Sequence, residues 1–128
     1  MLGFPTETWD EIRQSVRMAE EIDVDYVKLF AVIPLRHTKL RQLCEDTGSL
    51  KESINETDEI WSTGQMIETD QFSANDITIL RAYEWDRINF QDRKKRRRTA
   101  EMMHITEQEL DVVRKKTFKN AQKAIMGY

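Results

Sequence analysis

The chain has 128 residues, the size of one small domain or of a piece of a larger protein. Its composition, 39% hydrophobic and 34% charged, is globular rather than disordered. No stretch approaches the roughly 18 apolar residues of a membrane span, and the first residues lack the basic and then apolar pattern of a secretion signal. The single cysteine, Cys44, excludes an internal disulfide and a cysteine-based metal site. We therefore expect a cytoplasmic protein with no membrane partner and no metal ligands of its own.

The net charge of −3 conceals a strong asymmetry along the chain. Residues 1–92 contain 9 Lys and Arg against 19 Asp and Glu, whereas residues 93–128 contain 11 against 4. Such a basic tail either binds nucleic acid or another anionic surface, or folds back on the acidic part of the same chain. We favour the second interpretation because the preceding part of the chain is so acidic.

The first predicted element is an amphipathic helix that begins after Thr8 and ends near Asp23. Thr8 and Glu11 have the spacing of a capping box, in which each side chain bonds the other residue's backbone N–H. Apolar residues then recur every three or four positions, which places them on one face of a helix. The residues of this face are Trp9, Ile12, Val16, Ala19 and Ile22.

Residues 24–33 are predicted to form a strand that ends at Pro34. Both alternating faces of this segment are mostly apolar, which is typical of a strand covered on both sides in an α/β protein. Such a strand needs neighbours to bond its backbone, and the only other candidate is the stub at residues 1–4. The pattern therefore predicts the end of a larger α/β protein.

The remaining elements are predicted to be helices separated by one long loop. Residues 39–46 are expected to form a short helical turn, and residues 49–72 a surface loop without a sustained period. A capping pattern at Ser73 begins a helix that we expect to reach about Gln91. A further capping box at Thr106 begins the final helix.

Two segments resemble motifs of radical S-adenosylmethionine enzymes, especially the branch with a cobalamin-binding domain upstream. Residues 3–12, GFPTETWDEI, resemble the family's G-[FL]-P-G-E-T-x-E-[ED]-I loop. Residues 25–38 resemble its D-Y-[VA]-x-[FL] pattern and the P-x-P-G-T turn that follows. The two motifs occur in the family's order and at its separation, and residues 65–90 resemble the family's tail more loosely.

The resemblance implies a mostly helical α/β fragment in three parts. Residues 1–48 would be the last β/α units of a partial (β/α)6 barrel, with strand, helix and strand in succession. Residues 49–72 would be a loop, and residues 73–128 a helical C-terminal extension that contains the basic run 93–98. The remainder of the parent barrel would then be the chain's main partner, and the isolated fragment is expected to self-associate.

The resemblance also implies the cofactors of the intact parent, namely S-adenosylmethionine, a [4Fe–4S] cluster and, in this branch, cobalamin. The cluster-binding C-x-x-x-C-x-x-C motif of the family is absent from this chain. We therefore expect the chain to help close the S-adenosylmethionine and substrate site without being catalytic by itself. The family's contacts to the adenosine part of S-adenosylmethionine map onto Leu2, Gly3, Phe4, Pro5, Val32, Ile33 and Pro34.

Two residues depart from the family pattern. Thr6 replaces a usual glycine of the first loop, and His37 replaces the glycine before the threonine of the second turn. Because a non-glycine residue restricts the backbone, both changes alter the turns that these two loops can form. His37 either faces the substrate or is a solvated loop histidine, and we favour the latter.

Other chemistry-bearing residues have structural alternatives. Glu7 either orients a ligand or the loop, or simply complements a helix N-terminus. Cys44 is interpreted as a small packed residue rather than a nucleophile, because neither histidine is placed by sequence to activate it. The run 93–98 is interpreted as a solvated or intramolecularly paired helix end, and nucleic acid is not the expected partner. The alternative function is a stand-alone helical binding module that uses this basic tail on an anionic partner.

Overall fold

The computed structural model describes residues 1–51 and 65–126. Within these ranges the chain forms five helices, and its only β pairing consists of two isolated bridges. The prediction that residues 1–48 form β/α units of a partial barrel is therefore wrong, because the described part of the chain is all-helical. The helices are α1 (Trp9–Glu21), α2 (Lys39–Asp46), α3 (Ala74–Phe90), α4 (Arg93–Met102) and α5 (Glu107–Met126).

The predicted helix starts are confirmed by their capping interactions. The Thr8 hydroxyl accepts from the Glu11 N–H, and the Glu11 carboxylate accepts from the Thr8 N–H. Ser73 forms the equivalent box at α3, and Thr106 does so at α5. Because each box bonds backbone groups that have no partner within the helix, these short local patterns fix where the helices begin. The predicted helical turn at residues 39–46 is α2, which Thr38 caps.

The predicted strand at residues 24–33 makes a single bridge instead of joining a sheet. Leu2 pairs in parallel with Ala31, through Leu2 N–H to Phe30 O at 2.8 Å and Val32 N–H to Leu2 O at 2.9 Å. On its other side the segment bonds side chains of α3 rather than a strand. Asn89 bonds both the N–H and the C=O of Val27 at 2.8 Å.

Arg81, also from α3, donates from its Nε to the Leu29 carbonyl at 2.9 Å. The side chains of Asn89 and Arg81 thus supply bonds that a neighbouring strand would otherwise provide. Backbone groups buried away from water need a partner, but that partner need not be another strand. Because side chains of α3 take the place of a neighbouring strand, an apolar, strand-like sequence pattern is compatible with an all-helical structure.

The predicted loop at residues 49–72 lies partly outside the described residues, which omit 52–64. Its two described ends pair with each other through an antiparallel bridge between Leu50 and Ile67. Two backbone bonds form this bridge, from the Lys51 N–H to the Met66 carbonyl at 3.0 Å and from the Glu68 N–H to the Ser49 carbonyl at 2.8 Å. Ile67 is fully buried, so this end of the segment contributes to the core.

Helix α3 connects two hydrophobic clusters. Its Ile77 and Ile88 belong to the main cluster, and its C-terminal Phe90 belongs to a smaller one beneath α4 and α5. The main cluster is built on Leu2, Ile12, Val16, Val27, Ala31, Val32, Cys44, Ile67, Phe72, Ile77 and Ile88. The smaller cluster contains Phe90, Ala100 and Leu110, with Tyr26, Trp85 and Ile105 packed against it.

The basic run 93–98 forms the first part of a separate helix, α4, which Asp92 caps. Arg98 pairs with Asp25 at 2.9 Å and Arg97 with Glu101 at 3.5 Å, and all four side chains are largely exposed. Exposed pairs of this kind contribute little to stability. None of the helices in the described ranges is long and apolar enough to cross a membrane.

Candidate functional site

The parallel bridge brings together the two segments predicted to contact S-adenosylmethionine. Leu2 begins the first segment, and Ala31 lies immediately before the second. Because the bridge is parallel, the residues that follow it in each segment, 3–5 and 32–34, lie at the same end of the bridge. The structure therefore places the two motifs side by side, although they are separated by helix α1 in the sequence.

Glu7 shapes the first segment into a tight turn. Its carboxylate accepts from the Gly3 N–H at 2.7 Å and from the Phe4 N–H at 2.9 Å, while the Phe4 carbonyl accepts from the Glu7 N–H. Gly3 has a φ of +87°, which disfavours any residue with a Cβ. Glu7 thus orients the loop, one of the roles predicted for it.

Gln65 covers the inner side of this turn. Its Nε2 donates to the Gly3 carbonyl at 3.0 Å and to the Ile67 carbonyl at 3.3 Å. A Cβ on Gly3 would lie 2.4 Å from the Gln65 Nε2, so an alanine there would have to displace the Gln65 side chain in addition to straining the backbone. The Gln65 Oε1 is buried without a hydrogen-bond partner in the described part of the chain.

The seven predicted contact residues fall into two groups by exposure. Four are buried inside this chain and so serve as its internal support: Leu2, Gly3, Val32 and Pro34. Three are partly exposed and so remain accessible to a ligand: Phe4, Pro5 and Ile33. The three accessible residues of this set are therefore all apolar.

The two departures from the family motif differ in their backbone geometry. His37 is exposed and has a φ of +65°, a region that glycine adopts more easily than other residues. Thr6 is not among the described residues with positive φ, so it needs no left-handed backbone. The second turn thus keeps a glycine-like conformation with a histidine in it.

Neither the sequence nor the described structure supplies ligands for a [4Fe–4S] cluster. The only cysteine, Cys44, is fully buried in the main cluster, and burial raises the pKa of its thiol. Among residues 1–51 and 65–126, no three His, Cys, Asp or Glu side chains are grouped so that they could hold a metal ion. The cluster does not fit this chain.

Comparisons with known proteins give no match. No family model, curated protein or solved structure was found to match the chain. The geometry described above and the two sequence motifs are therefore the basis for a functional proposal.

Sequence reasoning missed two residues that hold this region together. Gln65 lies 62 positions from Gly3 in a segment without any periodicity, so no local pattern indicates their contact. Asn89 is fully buried between Ile88 and Phe90, and this polar residue within an apolar stretch was a usable signal. A buried amide must find partners, and here it finds the backbone of Val27.

Proposed function

We propose that this chain is the C-terminal part of a radical S-adenosylmethionine enzyme, in which it helps close the cofactor and substrate site. The observation that carries the proposal is the parallel bridge between Leu2 and Ala31. It sets the two motif segments next to each other, at the end of the bridge where both continue. Phe4, Pro5 and Ile33 thus lie at one end of the bridge, where a single ligand would contact both segments.

The partly exposed apolar residues at this end of the bridge are the ones that would contact the cofactor. Phe4, Pro5 and Ile33 would pack against the adenosine part of S-adenosylmethionine, since small-molecule sites are lined mainly by apolar groups. Leu2 and Val32 would support them from inside the chain. The backbone angle of His37 adds support, because the family's glycine would suit the same conformation.

This chain would supply walls of the site and no redox chemistry. In the intact parent, a [4Fe–4S] cluster held by an upstream C-x-x-x-C-x-x-C motif would supply the electron for S-adenosylmethionine cleavage. The present residues would position the adenosine and exclude water from it. Cobalamin, if the parent belongs to the named branch, would also be bound upstream.

The reading frame that precedes Met1 in the genome tests this proposal directly. We expect it to continue upstream into C-x-x-x-C-x-x-C, and the longer product to bind a cluster and release 5′-deoxyadenosine from S-adenosylmethionine. The isolated chain, reconstituted anaerobically, should show no stoichiometric [4Fe–4S] absorbance or iron. A ribosome-binding site and start codon immediately at Met1, or a longer product that binds no cluster, would overturn the proposal.

A pair of phenylalanine variants tests the placement of the site within the longer product. Phe4→Ala should weaken S-adenosylmethionine binding, because Phe4 lies at the end of the bridge where the motifs continue. Phe30→Ala is the matched control, since Phe30 is exposed and precedes the bridge. Thermal melting of both variants verifies that they fold, and equal loss of binding in both would contradict the placement.

The second candidate function is a stand-alone helical module that binds an anionic partner through its basic tail. The exposed basic helix α4 favours it. A genuine start codon at Met1, together with tight binding to an anionic macromolecule, would replace the first proposal by this one.

A further inference from the structure

A cleft of about 390 Å³ lies between residues 26–30, helix α3 and helix α5. Its volume is in the range of small-molecule sites. Aromatic and aliphatic side chains make up much of its wall, including Phe30, Trp85 and Ala121. The cleft differs from the proposed cofactor surface, because it is lined by the residues that precede the Leu2–Ala31 bridge.

Arg81 is a half-buried cation on this wall. Its Nε donates to the Leu29 carbonyl at 2.9 Å, and no carboxylate of the described residues forms an ion pair with it. Partial burial lowers the pKa of Arg81, because the charged form is incompletely hydrated there. Its two Nη groups are donors without acceptors in this part of the chain.

The other arginines at the interfaces of α3 are fully paired. Arg87 bonds Glu20 at 2.6 Å and Glu84 at 2.7 Å. Arg114 bonds Asp86 through two nitrogens, at 2.6 and 2.8 Å. Arg81 differs from both in having no carboxylate partner among the described residues, and its Nη groups reach solvent in the cleft, where they can bind an external anion.

A second cation, Lys28, lines the same cleft, and its ammonium lies 5.9 Å from the ring centre of Tyr26. No Asp or Glu is among the lining residues, although the chain as a whole carries a net charge of −3. The local charge of the cleft is therefore opposite to that of the protein, which favours an anionic ligand.

We propose that this cleft binds a small organic carboxylate with an aromatic-sized apolar body. The carboxylate accepts from the free Nη groups of Arg81, whose planar fork matches two carboxylate oxygens. Lys28 adds a second positive charge, and the apolar body lies against Phe30 and Trp85. This site is independent of the proposed radical S-adenosylmethionine function and is tested with the 128-residue chain alone.

Three probes of matched size separate charge from shape: 1-naphthylacetate, 1-naphthylacetamide and 1-naphthyl phosphate. We expect saturable binding of 1-naphthylacetate with a Kd of about 1 mM or below, as suits a ligand of this size. Amide shifts in ¹⁵N NMR spectra should concentrate at residues 26–30, Arg81 and Trp85. The neutral acetamide should bind at least about tenfold more weakly, because it lacks the charge that Arg81 pairs with.

Variants of the two cations test how much each contributes to the binding of 1-naphthylacetate. Arg81→Gln should weaken 1-naphthylacetate binding by at least about tenfold, and Lys28→Gln should weaken it less. Arg97→Gln is the charge-matched control, because Arg97 is highly exposed on α4, and it should bind like the wild type. If Arg81→Gln fails to fold, the comparison of acetate with acetamide on the wild type still decides.

Equal binding of acetate and acetamide, shifts located elsewhere, or no saturation by about 10 mM acetate would overturn the proposal. Tighter binding of the phosphate than of the acetate would overturn its assignment to carboxylates.

Discussion

Gly3 and Gly48 both have positive φ angles, +87° and +63°, but only Gly3 is crowded. We expect Gly3→Ala to lower the free energy of unfolding by about 2–4 kcal/mol, because a Cβ adds a clash with Gln65 to the backbone strain. Gly48→Ala, with no atom within 4 Å of the new Cβ, should cost only about 1–2 kcal/mol. Urea unfolding of both variants measures the difference.

A double-mutant cycle separates the cost of the contact with Gln65 from the cost of backbone strain at Gly3. In a Gln65→Ala background, Gly3→Ala should lose its steric part and cost about as much as Gly48→Ala. Equal costs for Gly3→Ala with and without the Gln65 side chain would show that the contact between Gln65 and Gly3 is not what requires the glycine.

Asn89 is the buried polar residue whose removal should be most costly. Asn89→Ala would leave the N–H and C=O of Val27 without partners, and we expect a loss of about 2–4 kcal/mol in urea unfolding. Asn89→Asp should also destabilise the protein, since a carboxylate accepts from the N–H but cannot donate to the carbonyl. Gln122→Ala on the exposed side of α5 is the control, with an expected change within about 0.5 kcal/mol. A loss of that small size at Asn89 would contradict its role as a substitute for a strand.

At the scale of elements, the helices could be predicted and the β/α arrangement could not. Capping boxes such as Thr8 with Glu11 are local, so a few residues determine where a helix begins. The pairing of residues 24–33 depends instead on distant side chains, above all Asn89, 62 positions from Val27. Gln65 also lies 62 positions from its partner Gly3, so no local pattern indicates their contact. Of the candidate site, the two motifs could therefore be predicted, and the residues that support them could not.

The capping boxes of α1 and α5 make their helices sensitive to acid. Hydrogen bonds from Thr8 lower the pKa of Glu11, and hydrogen bonds from Thr106 lower that of Glu109. Because each pKa is lower in the folded than in the unfolded state, the stabilisation is present above the ordinary glutamate pKa of about 4.3. It is lost as the pH falls through the lower, folded-state values.

We therefore expect a loss of stability below about pH 4, measured by urea unfolding as a function of pH. Glu11→Gln and Glu109→Gln remove the two titrating carboxylates, and the double variant should show a shallower acid dependence. Glu21→Gln is the matched control, because Glu21 is an exposed glutamate of α1 that bonds no backbone N–H among the described residues. An unchanged acid dependence in the double variant would refute this assignment.

At the scale of the whole molecule, the charge asymmetry is partly neutralised across a surface between α4 and residues 23–25. Asp23, Asp25, Asp92 and Glu101 line this surface together with cations of the basic run. Arg98 reaches Asp25, and Arg96 donates to the Phe90 carbonyl at 3.4 Å. The run is therefore interleaved with acidic groups, which weakens its attraction for the phosphates of a nucleic acid.

The basic run is expected to bind nucleic acid only weakly, because acidic groups line the same surface. At physiological salt we expect oligonucleotides to bind no more tightly than about 10⁻⁵ M, within the non-specific range. Replacing Arg96, Arg97 and Arg98 by Gln should then alter affinity little and stability only slightly, since exposed pairs contribute about 0–1 kcal/mol each. Replacing Lys115, Lys116 and Lys119 by Gln on α5 is the charge-matched control.

If the run does contact phosphates, the wild type should instead show a steep logarithmic salt dependence, which the arginine variant alone would flatten by roughly 2–3 units. Sub-micromolar binding at physiological salt, lost in that variant and kept in the lysine control, would favour the stand-alone binding module over the enzyme fragment.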